Sequence, residues 1–574
     1  MSSIVSPLLR TEAGTAAATQ NRQQLGVMLL ERGLISPAQL DFARQKQAVE
    51  NKRIGQIMVD YGLALEYDVA QLLAEQRGLP FMPIDDVAPP DPSILGLFNK
   101  ELCLSRSFLP LRRTDGGLEI LLGDSDPRDV AQIVKRRCDL NSSFVQTEFT
   151  RLQQQVRQSY YFSQNPVEQQ IDRAVRQLSA DIDHAQSPER LLDLLLHLAV
   201  RERATDIHLA PSEDSLHVSF RIDGVLRPML ALPVSLNRAM VYVKLTSEMD
   251  ISEQRRPQDG SFHVSVLDSP YTVRVSTLAS EYGERMVLRL LPERGDLSGI
   301  AQLGFRAHDV ELLRRIFEKP AGLVLITGPT GSGKSTTLHA ALRMQSLIER
   351  NVLTVEDPVE YRVPGACQTE VNRRAGYTFS SALRHFLRHD PDVMLIGEIR
   401  DSETAQSALE SSATGHLVLS TLHVSGVFGV VPRLRPLGLG AQELADNLVA
   451  IVNQRLVRRN CPHCSASVPF SEAERQWLGV HHSGPGQRGC GCDVCRGTGY
   501  FGRLPVYEIL LIDDALANAI ADDKGREAIH AAALDAGFQP LREMAKSMVA
   551  AGQTTAEEIV RVIGEGPALV GAPA

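Results

Sequence analysis

The sequence is poor in aromatic residues, which make up 5% of its 574 residues and include a single tryptophan. It also lacks a surplus of positive charge, because 69 acidic residues outnumber 60 lysines and arginines and give a formal net charge of -9. Nucleic-acid binding relies on a basic surface and often on aromatic stacking. The composition therefore argues against a nucleic acid as the main partner.

Long apolar runs are missing as well, since no stretch approaches the roughly 18 residues needed to cross a bilayer. Residues 1–20 lack the basic start and apolar block of a signal peptide, and we expect a disordered leader there. These features predict a cytoplasmic protein. In that compartment the eight cysteines are expected to be thiols or metal ligands.

A glycine-rich stretch follows the apolar run 323–327 and fits the pattern G-x-x-x-x-G-K-[ST]. Its glycines allow the tight path that turns backbone amides toward an anion. Lys334 is then placed to reach the β- and γ-phosphates, and Ser335 to hold Mg²⁺, at the positive end of the next helix. The residues predicted to bind the nucleoside triphosphate are Gly328, Pro329, Thr330, Gly331, Ser332, Gly333, Lys334, Ser335 and Thr336.

Strand and helix patterns alternate around this loop, which predicts a parallel sheet covered on both faces. The apolar strands are predicted at 323–327, 352–355, 393–396 and 417–421. Glu356, Glu398 and His423 follow three of the strand ends, where open α/β sheets bind ligands. A carboxylate there can organise Mg²⁺ or the attacking water, and a histidine can sense the γ-phosphate.

The preceding segment, residues 171–300, reads as α+β. Asp-Gly pairs at 223–224 and 259–260 predict hairpin turns. Three strand arginines, Arg221, Arg274 and Arg289, have two interpretations. They are either surface or ion-paired residues, or arginine fingers that reach a phosphate across a domain or subunit boundary.

Two C-x₂-C pairs, Cys461 with Cys464 and Cys492 with Cys495, have the spacing of a structural zinc site. Cys490 is an alternative to Cys492, although a C-x₄-C spacing fits a zinc site less well.

Several longer motifs resemble those of the type II secretion and type IV pilus assembly ATPases. They are Gly397-Glu398, Glu356 to Glu360, Gly415 to His423, Thr205 to His208, Arg221 to Gly224, Pro257 to Gly260, Arg274 to Thr277 and the cysteine pairs. The resemblance covers the chain apart from about its first twenty and last ten residues. One departure is Val424 to Val427, where that family usually has Thr-Asn-Asp-Ala.

The resemblance implies that Lys334 and Ser335 bind ATP and Mg²⁺ and that Glu356 and Glu398 are the catalytic and metal-organising carboxylates. Either glutamate is a candidate for the general base. His423 would contact the γ-phosphate, and one or more of the three arginines would act as the finger. The family also implies a homo-hexamer and the structural zinc.

The implied cellular role is assembly of a type II secretion pseudopilus or a type IV pilus. The hexamer would lie at the periphery of the inner membrane and dock on a membrane-anchored protein and a platform protein. Three alternatives are a nucleic-acid motor, a cyclic-di-GMP receptor with a vestigial ATPase, and a pilus retraction ATPase. The last class is shorter and lacks the N-terminal module and the cysteines.

An internal repeat spans residues 24–76, with equivalent positions 29 residues apart, such as Leu29 and Met58 or Gly33 and Gly62. It predicts two helical hairpins. They are either a docking module or a relative of the cyclic-di-GMP-binding module of some secretion and pilus ATPases. Arg53 fits the basic position that opens the second motif of that module, whereas Gln24 replaces it in the first.

The predicted fold class is thus a multidomain α/β protein with a helical N-terminal module, an α+β middle domain and a RecA-like ATPase core that carries a zinc loop. The predicted boundaries are a leader at 1–20, an N-terminal docking domain at 21–161, a linker at 162–170, the middle domain at 171–300, the ATPase domain at 301–565 with a zinc loop at 458–503 and helices at 506–564, and a tail at 566–574.

Overall fold

The computed structural model describes residues 24–179, 188–233, 237–293, 299–479, 484–564 and 566. The predicted leader, and all of the predicted tail except Gly566, lie outside the described residues. Every helix of the described part is too short or too polar to span a bilayer.

The N-terminal repeat forms four helices. They are α1 (Leu25–Glu31), α2 (Pro37–Val49), α3 (Ile54–Asp60) and α4 (Glu66–Arg77). Equivalent positions of the two copies play equivalent parts, since Leu29 and Met58 are both fully buried. Gly33 and Gly62 both have a φ of 66°, a left-handed conformation that glycine adopts without steric cost. The repeat in the sequence is therefore a repeat in the structure.

A small sheet packs beside these helices. Its strands are β1 (Phe108–Thr114), β2 (Gly117–Leu122) and β3 (Ser142–Gln146), with β2 in the centre. The helices around it are α5 (Pro92–Leu95), α6 (Lys100–Ser105), α7 (Pro127–Cys138) and α8 (Phe149–Gln164). Phe149 of α8 belongs to the core of the repeat, whereas Leu152 and Val156 belong to the core under the sheet, so α8 joins the two.

Helices occupy most of the predicted linker at 162–170. Helix α8 ends at Gln164, and α9 (Val167–Ser179) begins after Asn165 and Pro166. Asn165 donates from its side chain to the carbonyl of Tyr161, which closes the first helix. Proline suits the start of the second helix. A polar composition indicated a linker, but glutamine-rich segments also form helices.

The middle domain is an antiparallel sheet with helices on one face. After α9 come α10 (Pro188–Arg201), β4 (Ala204–Pro211), β5 (Ser215–Ile222), β6 (Val225–Pro233), α11 (Asn237–Thr246), β7 (Gln258–Val266), β8 (Ser269–Ser280) and β9 (Gly283–Pro292). The strand order is β6-β5-β4-β9-β8-β7. Leucines of α10 pack against alternate residues of these strands, and the opposite face of the sheet carries polar side chains.

Only the first predicted Asp-Gly turn is a turn. Asp223 and Gly224 have φ of 49° and 83° and connect β5 to β6. Asp259 and Gly260 instead lie inside β7. A Cβ atom at Gly260 would lie 2.3 Å from the carbonyl oxygen of Ser247, so this glycine allows a close approach of two backbones.

The core of the predicted ATPase domain is a seven-stranded sheet with the order β12-β11-β13-β14-β10-β15-β18. Its strands are β10 (Gly322–Thr327), β11 (Val352–Glu356), β12 (Cys367–Glu370), β13 (Val393–Ile396), β14 (Leu417–Leu422), β15 (Leu448–Asn460) and β18 (Tyr500–Leu511). All neighbours are parallel except β15 and β18. The predicted parallel sheet and fold class are confirmed.

Helices cover both faces of this sheet. They are α12 (Ala307–Phe317), α13 (Lys334–Arg343), α14 (Phe379–Phe386), α15 (Ser402–Ala413), α16 (Val430–Leu434), α17 (Ala441–Asn447), α18 (Glu472–Leu478), α19 (Asp514–Ala521), α20 (Arg526–Asp535), α21 (Leu541–Ala550) and α22 (Ala556–Ile563). Alternate residues of β10 belong to two different cores, Val324 and Ile326 to one and Leu323 and Leu325 to the other. The central strands are thus buried on both sides.

The C-terminal helical segment predicted from residue 506 starts later, because residues 506–511 belong to strand β18. Val506 and Leu510 are buried there, and β18 pairs with the long strand β15. A short apolar run of this kind does not distinguish a strand from a helix. In the chain, β15 and β18 are separated by β16 (Ser465–Val468) and β17 (Gly486–Gly489), which form a small antiparallel pair.

Candidate functional site

The glycine-rich loop joins β10 to α13 and takes backbone angles that other residues rarely adopt. Gly328, Gly331 and Gly333 have φ of 143°, 77° and 87°. A Cβ atom at Gly328 would lie 2.4 Å from the carbonyl oxygen of Gln454 in β15. Glycine is therefore required at that position. A loop of this shape presents successive N–H groups to an anion.

Lys334 is the first residue of α13, and its ammonium group lies inside the loop. Nζ donates to the carbonyl oxygens of Gly328 and Pro329 at 3.0 and 3.1 Å. Burial lowers the pKa of Lys334, and the nearby carboxylates of Glu398 and Glu360 oppose this effect. The buried amine thus sits where it would meet the phosphates of a nucleotide.

Gln454 of β15 fixes the loop against its neighbouring strand. Its side-chain amide donates to the carbonyl of Ser332 at 2.8 Å, and its amide oxygen accepts from the hydroxyl of Thr337 at 3.0 Å. The Ser332 hydroxyl is buried and has no hydrogen-bond partner among the described residues. A phosphate oxygen would satisfy it, so the loop fits a nucleoside triphosphate.

Glu356 ends β11 and is buried. Its Oε1 accepts from the hydroxyl of Thr354 at 2.7 Å and from the side-chain amide of Gln368 at 3.1 Å. Its Oε2 lies 3.1 Å from Nε2 of His339 on α13. Burial lowers the pKa of His339, but Glu356 and the carbonyl of Ser335 outweigh burial, and the net pKa is raised. Glu356 is therefore enclosed by Thr354, Gln368 and His339.

Glu398 follows β13, and its carboxylate lies close to a guanidinium group and an imidazole ring. Its Oε2 lies 2.6 Å from Nε of Arg400 and 3.5 Å from Nε2 of His423. Burial, and then the charge of Lys334, lowers the pKa of His423. The structure therefore brings Glu398 and His423 to the same end of the sheet as Lys334.

The three candidate arginines lie in one row across the sheet of the middle domain. Arg221, Asp206, Arg289 and Arg274 are directly opposite one another on β5, β4, β9 and β8. Nε of Arg289 donates to Asp206 Oδ1 at 2.9 Å, and Nε of Arg221 lies 3.9 Å from Oδ2. Arg274 is instead influenced by the charges of Glu360 and Glu370. Burial is the largest effect and lowers the pKa of Arg274 overall, although the charge of Glu360 opposes it.

The segment after His423 starts its helical turn without a local cap. Gly426 precedes the turn and offers no side chain. Glu508 of β18 takes this role, because its Oε1 accepts from the amide of Val427 at 3.1 Å and from the side chain of Asn453 at 2.9 Å. A carboxylate from a distant strand therefore caps this turn.

Sequence reasoning missed four polar residues around the site, which are His339, Gln368, Gln454 and Arg455. His339 had a detectable signal, because it lies one helical turn after Ser335 and must share its face of α13. Arg455 donates to the carbonyl of Ser425 at 2.9 Å and so ties the loop after His423 to β15. No local pattern reveals Gln368, Gln454 or Arg455, because strand pairing brings them to the site.

The four cysteines of the two C-x₂-C pairs lie together. Sγ of Cys461 is 3.9 Å from Sγ of Cys492, Sγ of Cys464 is 3.8 Å from Sγ of Cys495, and all four sulfurs lie within 4.8 Å of one another. Thiolates bound to one tetrahedral zinc at ~2.3 Å are about 3.8 Å apart. Cys490 is exposed and outside this cluster, so the geometry favours Cys492 as the fourth ligand.

Backbone amides support the sulfurs as they would support thiolates. The amide of Gly491 donates to Sγ of Cys464, and that of Gly499 to Sγ of Cys495, both at 3.3 Å. Such outer hydrogen bonds orient the ligands of structural zinc sites. The cluster therefore fits zinc with four protein ligands, which leaves no open position for catalysis.

The chain is similar to several known proteins. The type II/IV secretion system protein family matches residues 181–561. Type II secretion system protein E of Aeromonas hydrophila is 44% identical over 379 residues, 66% of this chain and 75% of that protein. The type IV pilus assembly ATPase PilB of Thermus thermophilus is 36% identical over 538 residues, 90% of this chain and 59% of that protein. The solved structure of the Legionella pneumophila ATPase DotB has the same fold, with a TM-score of 0.50 and 21% identity over 66% of this chain and 96% of that chain.

The sheet and the glycine-rich loop after β10 define the fold of a P-loop ATPase domain. The chain belongs to the type II/IV secretion system protein family, which includes ATPases of type II secretion and type IV pilus systems.

We predict about one zinc per chain in protein purified without chelator, because four thiolates complete a structural site. Cys492→Ser is expected to lose most of the metal and to lower the midpoint of thermal unfolding. Cys490→Ser, two residues away and outside the cluster, is the matched control and is expected to keep the zinc. Elemental analysis with a thermal scan measures both. Wild-type protein without zinc, or equal loss from the two variants, would contradict the assignment.

Proposed function

We propose that the protein is a homo-hexameric, cytoplasmic ATPase that works at the inner membrane and powers assembly of a pilin-like filament. The observation that carries this proposal is the meeting of Lys334, Glu398 and His423 at the carboxyl end of one parallel sheet. Family membership supplies the cellular context. The filament would be the pseudopilus of a type II secretion system or a type IV pilus.

ATP would bind in the loop between β10 and α13, with Lys334 on the β- and γ-phosphates and Ser335 on Mg²⁺. The metal ion would neutralise charge on the phosphates. Glu398 lies near the amine of Lys334 and contacts His423, which suits a group that positions the attacking water. Glu356 is more enclosed and suits an organising role. His423 would contact the γ-phosphate.

The row of three arginines is suited to supply an arginine finger whose contact with the nucleotide depends on the position of the middle domain. Asp206 holds Arg221 and Arg289, and both arginines remain partly exposed on the sheet face. Arg274 already faces the glutamates that follow β11. A movement of the middle domain, of the same or of a neighbouring subunit, would exchange Asp206 for a nucleotide phosphate. Hydrolysis would then depend on subunit arrangement, as a hexameric motor requires.

Relatives from a secretion system and from a pilus system both support this proposal. Identity is higher with the Aeromonas secretion protein, whereas the match to the Thermus pilus ATPase covers more of this chain. One name concerns a protein secretion system and the other the assembly of a pilus. We therefore propose docking on a membrane-anchored protein and a platform protein, with the N-terminal domain as the docking surface. A nucleic-acid motor is disfavoured by family membership and by the acidic composition.

The N-terminal repeat suits docking better than cyclic-di-GMP binding. Arg53, the basic residue of the second motif, donates to the carbonyl of Asp124 and lies 3.9 Å from its carboxylate. The adjoining cavity, which Arg53, Gln56, Arg77 and Asp124 help to line, measures ≈ 230 Å³. Sites for drug-sized ligands usually exceed ~300 Å³. A dinucleotide would have to displace Asp124 and widen the cavity.

Calorimetric titration of the full chain with cyclic-di-GMP is therefore expected to give no heat of binding, because Arg53 already has a partner. Arg53→Ala and the exposed Arg32→Ala should behave like wild type. Saturable heat that Arg53→Ala abolishes and Arg32→Ala preserves would contradict the docking interpretation and favour a receptor.

The proposed function is tested by steady-state ATP hydrolysis and by native mass with a non-hydrolysable ATP analogue and Mg²⁺. Wild type is expected to turn over ATP and to have the mass of a hexamer. Glu398→Gln is expected to lose ~10²-fold or more in kcat, because a group that positions the reacting water is lost.

Glu403→Gln is the matched control, since Glu403 is an exposed carboxylate of α15 that pairs with Arg384. Its rate should equal that of wild type. An inert wild type that stays monomeric with the analogue would contradict the motor, and stimulation by DNA but not by acidic phospholipid would favour a nucleic-acid motor.

A further inference from the structure

His339 connects two parts of the nucleotide site. It lies on α13, where its Nδ1 is 2.7 Å from the carbonyl oxygen of Ser335. Its Nε2 is 3.1 Å from Oε2 of Glu356 on β11. Side-chain exposure is 3% for His339 and 5% for Glu356, so both groups are removed from water. One ring therefore bridges the end of the phosphate-binding loop and a carboxylate of the neighbouring strand.

The tautomer of His339 follows from its partners. A carbonyl oxygen only accepts, so Nδ1 carries a proton and donates it to Ser335. Nε2 makes no aligned hydrogen bond with a described residue, and it lies 3.1 Å from Oε2 of Glu356. A buried carboxylate is stable only with a partner of this kind. The His339 ring is the group that faces Oε2 of Glu356.

The remaining contacts restrict Glu356 to a single orientation. Thr354 and Gln368 hold Oε1, which leaves Oε2 to His339. The ring of Tyr361 packs edge-on against the imidazole, with centroids 5.3 Å apart. The imidazole is therefore itself held in place. Without it, Oε2 would be a buried oxygen with no partner, and the carboxylate would turn toward another donor.

We infer that His339 is a positioning residue for ATP hydrolysis, which it serves by holding the carboxylate of Glu356 in a fixed relation to Ser335 and the phosphate-binding loop. This inference rests on the proposed function for its catalytic consequence. The contact between His339 and Glu356 stands independently of it.

Steady-state hydrolysis by the full-length chain tests the catalytic consequence. His339→Leu keeps the volume and removes both polar contacts, and it is expected to lower kcat ~10-fold or more while KM for ATP stays within ~3-fold. His339→Gln keeps a donor that can reach Oε2 and is expected to restore most of the rate. Glu356→Gln should lose at least as much as His339→Leu.

His197→Leu is the matched control. His197 is a buried histidine of α10 that also contacts a backbone carbonyl and a carboxylate of its own helix, both from Asp193. This variant should lose thermal stability but keep kcat. An unchanged kcat in His339→Leu, equal losses in the Leu and Gln variants, or a rise in KM alone would overturn the inference.

A second measurement separates this inference from the proposed function. Thermal unfolding of His339→Leu, Glu356→Gln and the double variant forms a double-mutant cycle that needs no hydrolysis. Non-additive losses, with the double variant no less stable than the worse single variant, would support the contact. Additive losses would overturn it even if wild type hydrolyses ATP. An inert wild type with non-additive losses would contradict the proposed function and leave the contact supported.

Discussion

The nucleotide site depends on one close approach between two backbones, that of Gly328 and the carbonyl of Gln454. Because no side chain separates them, the glycine-rich loop lies directly against β15, and Gln454 can hold both Ser332 and Thr337. The start of α13 is thereby fixed relative to the sheet. Lys334 and His339 both lie on α13. Because the position of this helix is fixed, their side chains can meet groups that the strands of the sheet contribute.

The parallel sheet brings further side chains to the glycine-rich loop. The strands β11, β13 and β14 all end at the edge where the loop lies, so Glu356, Glu398 and His423 converge although they are far apart in the sequence. In this site Glu356 lies beside His339, and Glu398 lies beside Arg400 and His423. Arg221 and Arg289 of the middle domain pair with Asp206 and lie outside these contacts.

The sequence predicted the features that rest on local chemistry. The loop, the four central strands, the duplicated helices and the cysteine pairs each have a short pattern with a physical cause. Residues contributed by strand pairing, such as Gln454 and Glu508, had no such pattern, because their roles exist only in the assembled sheet. The errors have similar causes. The Asp-Gly pair at 259–260 serves close packing rather than a turn, and the run at 506–511 is a strand because β15 lies beside it.

The central claim is that this loop binds ATP through Lys334, and equilibrium binding of a fluorescent ATP analogue with Mg²⁺ tests it most directly. Wild type should bind saturably, and Lys334→Ala should weaken binding ~30-fold or more, because a buried charged partner of the phosphates is lost. Lys319→Ala, which alters an exposed lysine before β10, should bind like wild type. Equal affinities for wild type and Lys334→Ala would contradict the account.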